Sequence, residues 1–303
     1  MGVICILVVI GIILQKRGVV DPLTSRKLSA IVVDVCNPAM ILASVLGGGV
    51  TADRSDLIKA VILGAAFYVV LLLSGLVMPR LLRVEPDKRK FYHLMSVYTN
   101  TGFLGIPVAK AILPTNAIIY VVVVNVFYSL LFYTHGQIVF GKGPAEGVEK
   151  KSALRGLINP GLIMAIITLV VFWFEIKLPP ILANTVEYVG NATVFLSMMM
   201  LGVMIATSKI LGSLKNVRIW VFILIRLIML PIAFALVLHA FGVDKTAILA
   251  ICLMAAVPVG NLPLITAEKK GMDTSVLSSS IALTTAVSIV TITCLIATVS
   301  AFL

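Results

Sequence analysis

The sequence predicts an all-α membrane protein of ten transmembrane helices, arranged as two inverted five-helix repeats. Three observations carry that prediction. Of 303 residues, 60% are hydrophobic and 12% charged, where soluble domains average about 25% charged. The apolar residues fall into ten runs separated by short polar connections. The basic residues in those connections alternate from one loop to the next.

The runs span residues 1–15, 28–49, 57–82, 90–113, 115–141, 154–174, 180–208, 216–241, 245–268 and 274–302. A helix needs roughly 20 residues to cross the hydrocarbon core, so every run but the short first one is long enough. The first lacks a basic n-region and a cleavage site, and is read as a span. Loops after odd-numbered runs hold eighteen basic residues, among them Arg80, Arg83, Lys88, Arg89, Lys90, Lys150 and Lys151; loops after even-numbered runs hold only Arg54, Lys59, Lys177 and Lys245. By the positive-inside rule the odd loops are cytoplasmic and both termini outside. The net charge of +11 is thus a topology signal, and no nucleic-acid partner is expected.

The longest polar connection lies at the centre and divides the chain into a first repeat (1–141), a connecting loop (142–153) and a second repeat (154–303). Five helices is an odd number, so the second set enters the membrane from the opposite side. The fourth and ninth runs carry Gly, Pro and Asn where a membrane helix should be continuous: Asn100, Thr101, Gly102, Gly105 and Pro107, then Pro258, Gly260, Asn261 and Pro263. Proline removes a donor and clashes with the preceding turn. Backbone groups freed inside a bilayer must be satisfied by protein or a water-filled cavity. Two such breaks, matched in position between halves, point to a transporter binding site.

Half-helices starting near Pro107 and Pro263 would offer free N–H groups and positive dipole ends to a carboxylate. Asn100 and Asn261 either contact that substrate or satisfy the backbone freed at the breaks. Gly102, Gly105 and Gly260 are read as permitting close backbone crossing. Asn37 precedes Pro38, which either kinks the helix or lines the path. Asn125 and Tyr128 either contact substrate or join helices. Ionisable groups inside spans are functional candidates by default. Lys110 attracts an anion, pairs with a carboxylate or snorkels outward. Arg226 lies far enough into its run to need a partner, and Asp34 is read as pairing with a basic group, with proton or cation binding as the alternative. His93, His135 and His239 are read as structural hydrogen-bonders, with proton relay as the alternative. Cys5, Cys36, Cys252 and Cys294 lie in apolar runs without metal spacing and read as free thiols. No metal-ligand set, phosphate loop or cofactor motif is present in the sequence, so neither metal nor cofactor is expected and the chain is not read as an enzyme.

The residues Asn100-Thr101-Gly102-Phe103-Leu104-Gly105-Ile106-Pro107 resemble the broken fourth helix of the auxin efflux carrier family, which includes plant auxin carriers and bacterial malate or malonate permeases. Pro258-x-Gly260-x-x-Pro263 with Ala267 resembles its broken ninth helix; Asn159-Pro160 and Ser197-Met198-x-x-Leu201-Gly202 resemble it as well. The resemblance implies discontinuous fourth and ninth helices crossing at mid-membrane. It implies a scaffold and homodimer interface from helices 1, 2, 6 and 7, where Met198, Met199, Met200 and Met204 would be a soft surface, and a moving transport domain from helices 3–5 and 8–10. The chain lacks the long central loop of many plant members, and Asn261 replaces a usual apolar residue.

Together these readings describe a secondary transporter of a small organic anion in the cell membrane. The substrate would be a carboxylate: a dicarboxylate such as malate or malonate, or an auxin-like acid. An elevator movement is expected because polar groups cluster at two breaks and no continuous row of charges lines a helix. The alternative is a ligand-binding membrane sensor or partner subunit without transport.

Overall fold

The computed structural model describes residues 2–46, 54–141, 160–207 and 216–303. The predicted connecting loop at 142–153 and Asn159 lie outside the described residues. The described part is helical, without strands. Its helices are α1 (Gly2–Lys16), α2 (22–46), α3 (Arg54–Leu81), α4 (Arg89–Val97), α5 (Thr101–Ile112), α6 (Thr115–Phe140), α7 (Pro160–Trp173), α8 (Pro180–Thr207), α9 (Val217–Ala240), α10 (Lys245–Ala256), α11 (Asn261–Lys269) and α12 (Ser275–Phe302). Among the described residues, six apolar stretches are long enough to cross a membrane: Lys27–Leu46 within α2, and α3, α6, α8, α9 and α12. Helices α1, α5, α7 and α10 are shorter and apolar.

Local chemistry sets several boundaries. Asp21 caps α2 by accepting from Thr24 N at 2.7 Å, with Pro22 in the first turn, where proline's fixed φ suits a helix. Asp244 caps α10 in the same way through Ala247 N at 2.9 Å. Three helices contain a π-helical turn just before a proline. The turns are Val32–Cys36 before Pro38, Thr101–Gly105 before Pro107, and Leu224–Met229 before Pro231. In each, the residue preceding the proline donates to the carbonyl five back: Asn37 to Val32, Ile106 to Thr101, Leu230 to Ile225. Proline cannot donate, and its ring crowds the carbonyl four residues back. The wider turn moves that carbonyl away without ending the helix. A kink was one reading of Pro38; its local form is this turn.

Packing sorts the helices into two groups. Helix α8 packs along α1 and α2, and α7 packs on α2. Gly11 and Gly202 let α1 and α8 touch backbone to backbone: a Cβ on Gly11 would collide with the Met199 carbonyl, and one on Gly202 with the Val8 carbonyl. Gly190 lies against the backbone of Met40 in α2, where a Cβ would come within 2.8 Å of the Met40 Cα. Small residues at such contacts drive association in lipid, where apolar surface gains nothing by leaving solvent. The second group packs α3 on α4 and α6, α9 on α10, and α10 on α6 and α12. Its centre is α10, buried from Ala247 through Ala256. Narrower contacts join the groups, through α8 with α5 and α12 and through α7 with α6.

Met198, Met199 and Met200 are buried within the chain. They form a soft packing surface within the chain: Met198 belongs to the main core with Ile4 and Val8 of α1, and Met199 and Met200 pack with Val20, Val203, Leu14, Leu28 and Phe103.

Candidate functional site

The two interruptions meet. Helix α4 ends at Val97 and α5 begins at Thr101; α10 ends at Ala256 and α11 begins at Asn261. Between them Thr99 and Val259 form an isolated antiparallel bridge. Asn100 N donates to the Pro258 carbonyl at 2.8 Å, and Gly260 N donates to the Tyr98 carbonyl at 3.0 Å. Groups that proline and glycine free from helical bonding thus satisfy one another across the crossing, as burial in an apolar medium demands.

Each side of the crossing is shaped by different residues. Asn100 adopts φ −80°, ψ 57°, and Thr101 N donates to the Thr99 carbonyl at 2.8 Å, an inverse γ-turn. The Asn100 carbonyl then accepts from Leu104 N and Gly105 N and starts α5. On the other strand, Val259 N donates to the Thr284 hydroxyl of α12 at 3.3 Å. Gly260 has no room for a side chain: a Cβ would lie 3.0 Å from the Thr99 oxygen and 3.2 Å from the Tyr128 hydroxyl. Gly105 faces the flexible Met254 side chain, and at Gly102 a Cβ would make only ordinary contact. Of the three glycines read as permitting close crossing, Gly260 alone meets backbone closer than ordinary contact.

Proline placement differs from the expectation that both half-helices start near their prolines. Pro263 does lie in the first turn of α11. Helix α5 begins at Thr101, so Pro107 falls in its second turn, after the π-helical turn. The γ-turn at Asn100 permits the early start by presenting its carbonyl to two donors.

Around the N-terminus of α5 the candidates converge. Asn37 Nδ2 donates to the Gly102 carbonyl at 2.9 Å, and Thr101 Oγ1 donates to Asn125 Oδ1 at 3.1 Å. Asn100 is 6% exposed, and its Nδ2 has no hydrogen-bond partner; Asn37 Oδ1 and the Thr99 hydroxyl are buried and unpartnered as well. The Asn100 side chain therefore does not serve the broken backbone; its main chain does. Asn261 Oδ1 is unpartnered at the start of α11. Neither α5 nor α11 has an acidic residue in its first turn.

Other candidates stand apart from this cluster. Lys110 Nζ donates to Asn191 Oδ1 of α8 at 2.8 Å. Asp34 lies exposed between exposed Val33 and Val35, and the pairing expected of it does not form among the described residues, since the π-helical turn carries it outward. Arg226 is fully buried and donates through Nε to the Ser96 carbonyl at 2.9 Å and through Nη1 to the Ala255 carbonyl. Its expected partner is thus backbone. His135 Nδ1 lies 2.8 Å from the Tyr98 hydroxyl, with the His93 ring 5.1 Å from the His135 ring. Sequence reasoning missed Tyr98, Ser96 and Thr284. The dense hydroxyls of α12, with Ser278, Ser279, Ser280, Thr284, Thr285 and Ser288 in an apolar helix, were the available signal for the last.

Residues 1–296 match the family described as membrane transport protein. The chain belongs to the auxin efflux carrier family of membrane transport proteins. It is similar to a protein named as an uncharacterized transporter in Methanocaldococcus jannaschii, 26% identical over 302 residues, which cover 96% of this chain and 94% of the relative. A second uncharacterized transporter, from Methanothermobacter thermautotrophicus, is 24% identical over 295 residues, 95% of this chain and 94% of the relative. Family membership and the apolar helices make this chain a multi-pass membrane protein of a transporter family. Among the described residues of this family member, the crossing of α4–α5 with α10–α11 brings unpartnered polar groups together with two helix N-termini.

Proposed function

We propose that this family member is a secondary transporter of a small carboxylate, held at the crossing and moved by an elevator-type alternation. The observation that carries the proposal is the buried Asn100 Nδ2, without a partner beside the N-terminus of α5. Helix α5 has twelve residues and α11 has nine, and each N-terminus is equivalent to about half a positive charge. With no acid in either first turn, a carboxylate is the complementary ligand: two oxygens, one charge, and a free amide donor to meet it.

In this reading α4–α5 is the fourth span and α10–α11 the ninth, giving ten spans as two inverted repeats, 1–141 and 154–303, in the cell membrane with both termini outside. The division of packing into α1, α2, α7, α8 and the remaining helices supports a scaffold and a moving domain. Narrow contact between them favours sliding over repacking. Asp34, exposed on an otherwise apolar face, supports a homodimer, because a carboxylate facing lipid is unfavourable unless covered. An anion leaving a cell with an inside-negative potential gains about 2.3 kcal/mol per 100 mV, so export can proceed without a coupling ion provided the empty carrier returns without moving opposing charge.

Thermal-shift screening of malonate, malate and an auxin-like acid, followed by flux of the best ligand in proteoliposomes, tests the reading. Saturable flux is expected. Binding without flux would leave the sensor alternative, and no binding by any carboxylate would overturn the anion assignment. Cysteines placed at 272–274 should label only after permeabilisation if those residues are cytoplasmic.

A further inference from the structure

We infer that Arg226 is the resident counter-charge of the crossing, a tethered cation that lets the site take a carboxylate without an accompanying metal cation. The inference rests on the carboxylate reading for its ligand and on separate geometry for its charge. Arg226 lies in the π-helical turn Leu224–Met229 of α9 and is 0% exposed. Its Nε donates to the Ser96 carbonyl, in the last turn of α4, and its Nη1 to the Ala255 carbonyl, in the last turn of α10. These are the C-terminal ends of both helices that stop at the crossing. Each end carries the equivalent of about half a negative charge, so two converging ends match one guanidinium.

A buried cation without compensation is strongly unfavourable. No described carboxylate bonds or pairs with Arg226. The helix ends are its counter-ion. A guanidinium suits the task because its planar fork bonds two carbonyls at once, where an ammonium is a point charge.

The two sides of the crossing are consequently unequal. The C-terminal side is neutralised from within the chain. The N-terminal side, at α5 and α11, has no acidic side chain in either first turn, and its positive ends stay open to a ligand. Without Arg226 the negative ends would offset the attraction, and a dissolved cation would have to enter with each anion.

The test uses the full chain in nanodiscs with malonate as probe, in sodium chloride and in choline chloride. Wild-type affinity is expected to be the same in both salts. Arg226→Met, similar in bulk and uncharged, should bind about tenfold more weakly. Arg226→Lys, which keeps the charge, should retain most of the affinity. Arg226→Ala, extracted and purified with guanidinium ion well below denaturing concentration, should regain folded yield and melting temperature that an equal concentration of tetramethylammonium does not restore. Folded Arg226→Met with wild-type affinity would overturn the inference, as would equal recovery of Arg226→Ala in both ions. If no carboxylate binds wild-type protein, the anion reading fails, and the guanidinium-specific recovery still decides whether Arg226 is the counter-charge.

Discussion

The two breaks do the same job with different parts. At the first, Asn100 bends the main chain in a γ-turn, a π-helical turn follows, and Pro107 sits in the second turn of α5. At the second, Pro258 and Gly260 bend the chain, Thr284 of α12 takes the free Val259 N–H, and Pro263 sits in the first turn of α11. The first break is surrounded by amide side chains, two of which, Asn37 and Asn125, reach in from other helices. The second is held by a close backbone approach at Gly260. The difference teaches that side-chain amides surround the first break, where the proposed ligand would sit, while close backbone packing holds the second.

Substitution at Gly260 breaks that comparison with the largest effect. Gly260→Val would force atoms against the Thr99 backbone, lowering stability by about 3 kcal/mol. Gly102→Ala, where a Cβ makes only ordinary contact, should change it by less than about 1 kcal/mol. Melting temperatures in one detergent give both values, and equal losses would mean that the two breaks share the structural load.

Affinity should show the reverse order. Asn100→Ala should weaken carboxylate binding by about 1–3 kcal/mol through a lost charge-assisted hydrogen bond, with the protein still folded. Asn261→Ala should weaken it less, since Asn261 is less buried. Calorimetric titration reads both, and unchanged affinity in the pair would put the site elsewhere.

Thr284→Val removes the acceptor of the Val259 N–H and should lower stability by about 1 kcal/mol. Binding at the first break should not change. A loss of affinity as large as that of Asn100→Ala would make the second break part of the ligand site.

The smallest effect lies on the approach to the first break. Glu85, ahead of α4, accepts from Arg218 Nη1 at 2.6 Å, and that guanidinium lowers the carboxyl's pKa below its ordinary 4.5. A folded-state value below the unfolded one means that the pair's contribution is fully present above about 4.5. It is lost as pH falls through the lower folded value. Glu85→Gln should therefore narrow the difference in melting temperature between neutral and acid pH slightly, an exposed pair being screened.

The broken helices were legible because proline, glycine and asparagine act on their own turn. Pro107 and Pro263 announce missing donors wherever the helix lies. What each break does with its freed groups was not legible, because the partners are distant in sequence: Asn100 N finds Pro258, and Gly260 N finds Tyr98. The exact start of α5 was missed for a related reason. A γ-turn at Asn100 depends on the carbonyl and amide that α10–α11 supplies across the crossing.

Charged residues divide along the same line. Composition alone required that Arg226 have a partner, since an isolated charge in an apolar run is unfavourable. Only the packing of α9 against both helix ends made that partner backbone carbonyl instead of carboxylate. Asp34 and Met198–Met200 illustrate the limit from the other side: facing direction depends on helix rotation, which neighbours decide. Asp34 faces outward from its π-helical turn, and the methionines face inward against Val20, Leu28 and Phe103. The sequence by itself determined a membrane protein with two interrupted helices, because hydropathy and proline chemistry are local. The tertiary structure decided that the interruptions meet and that Arg226 reaches the ends of both α4 and α10, because pairing between segments far apart in sequence is a matter of geometry.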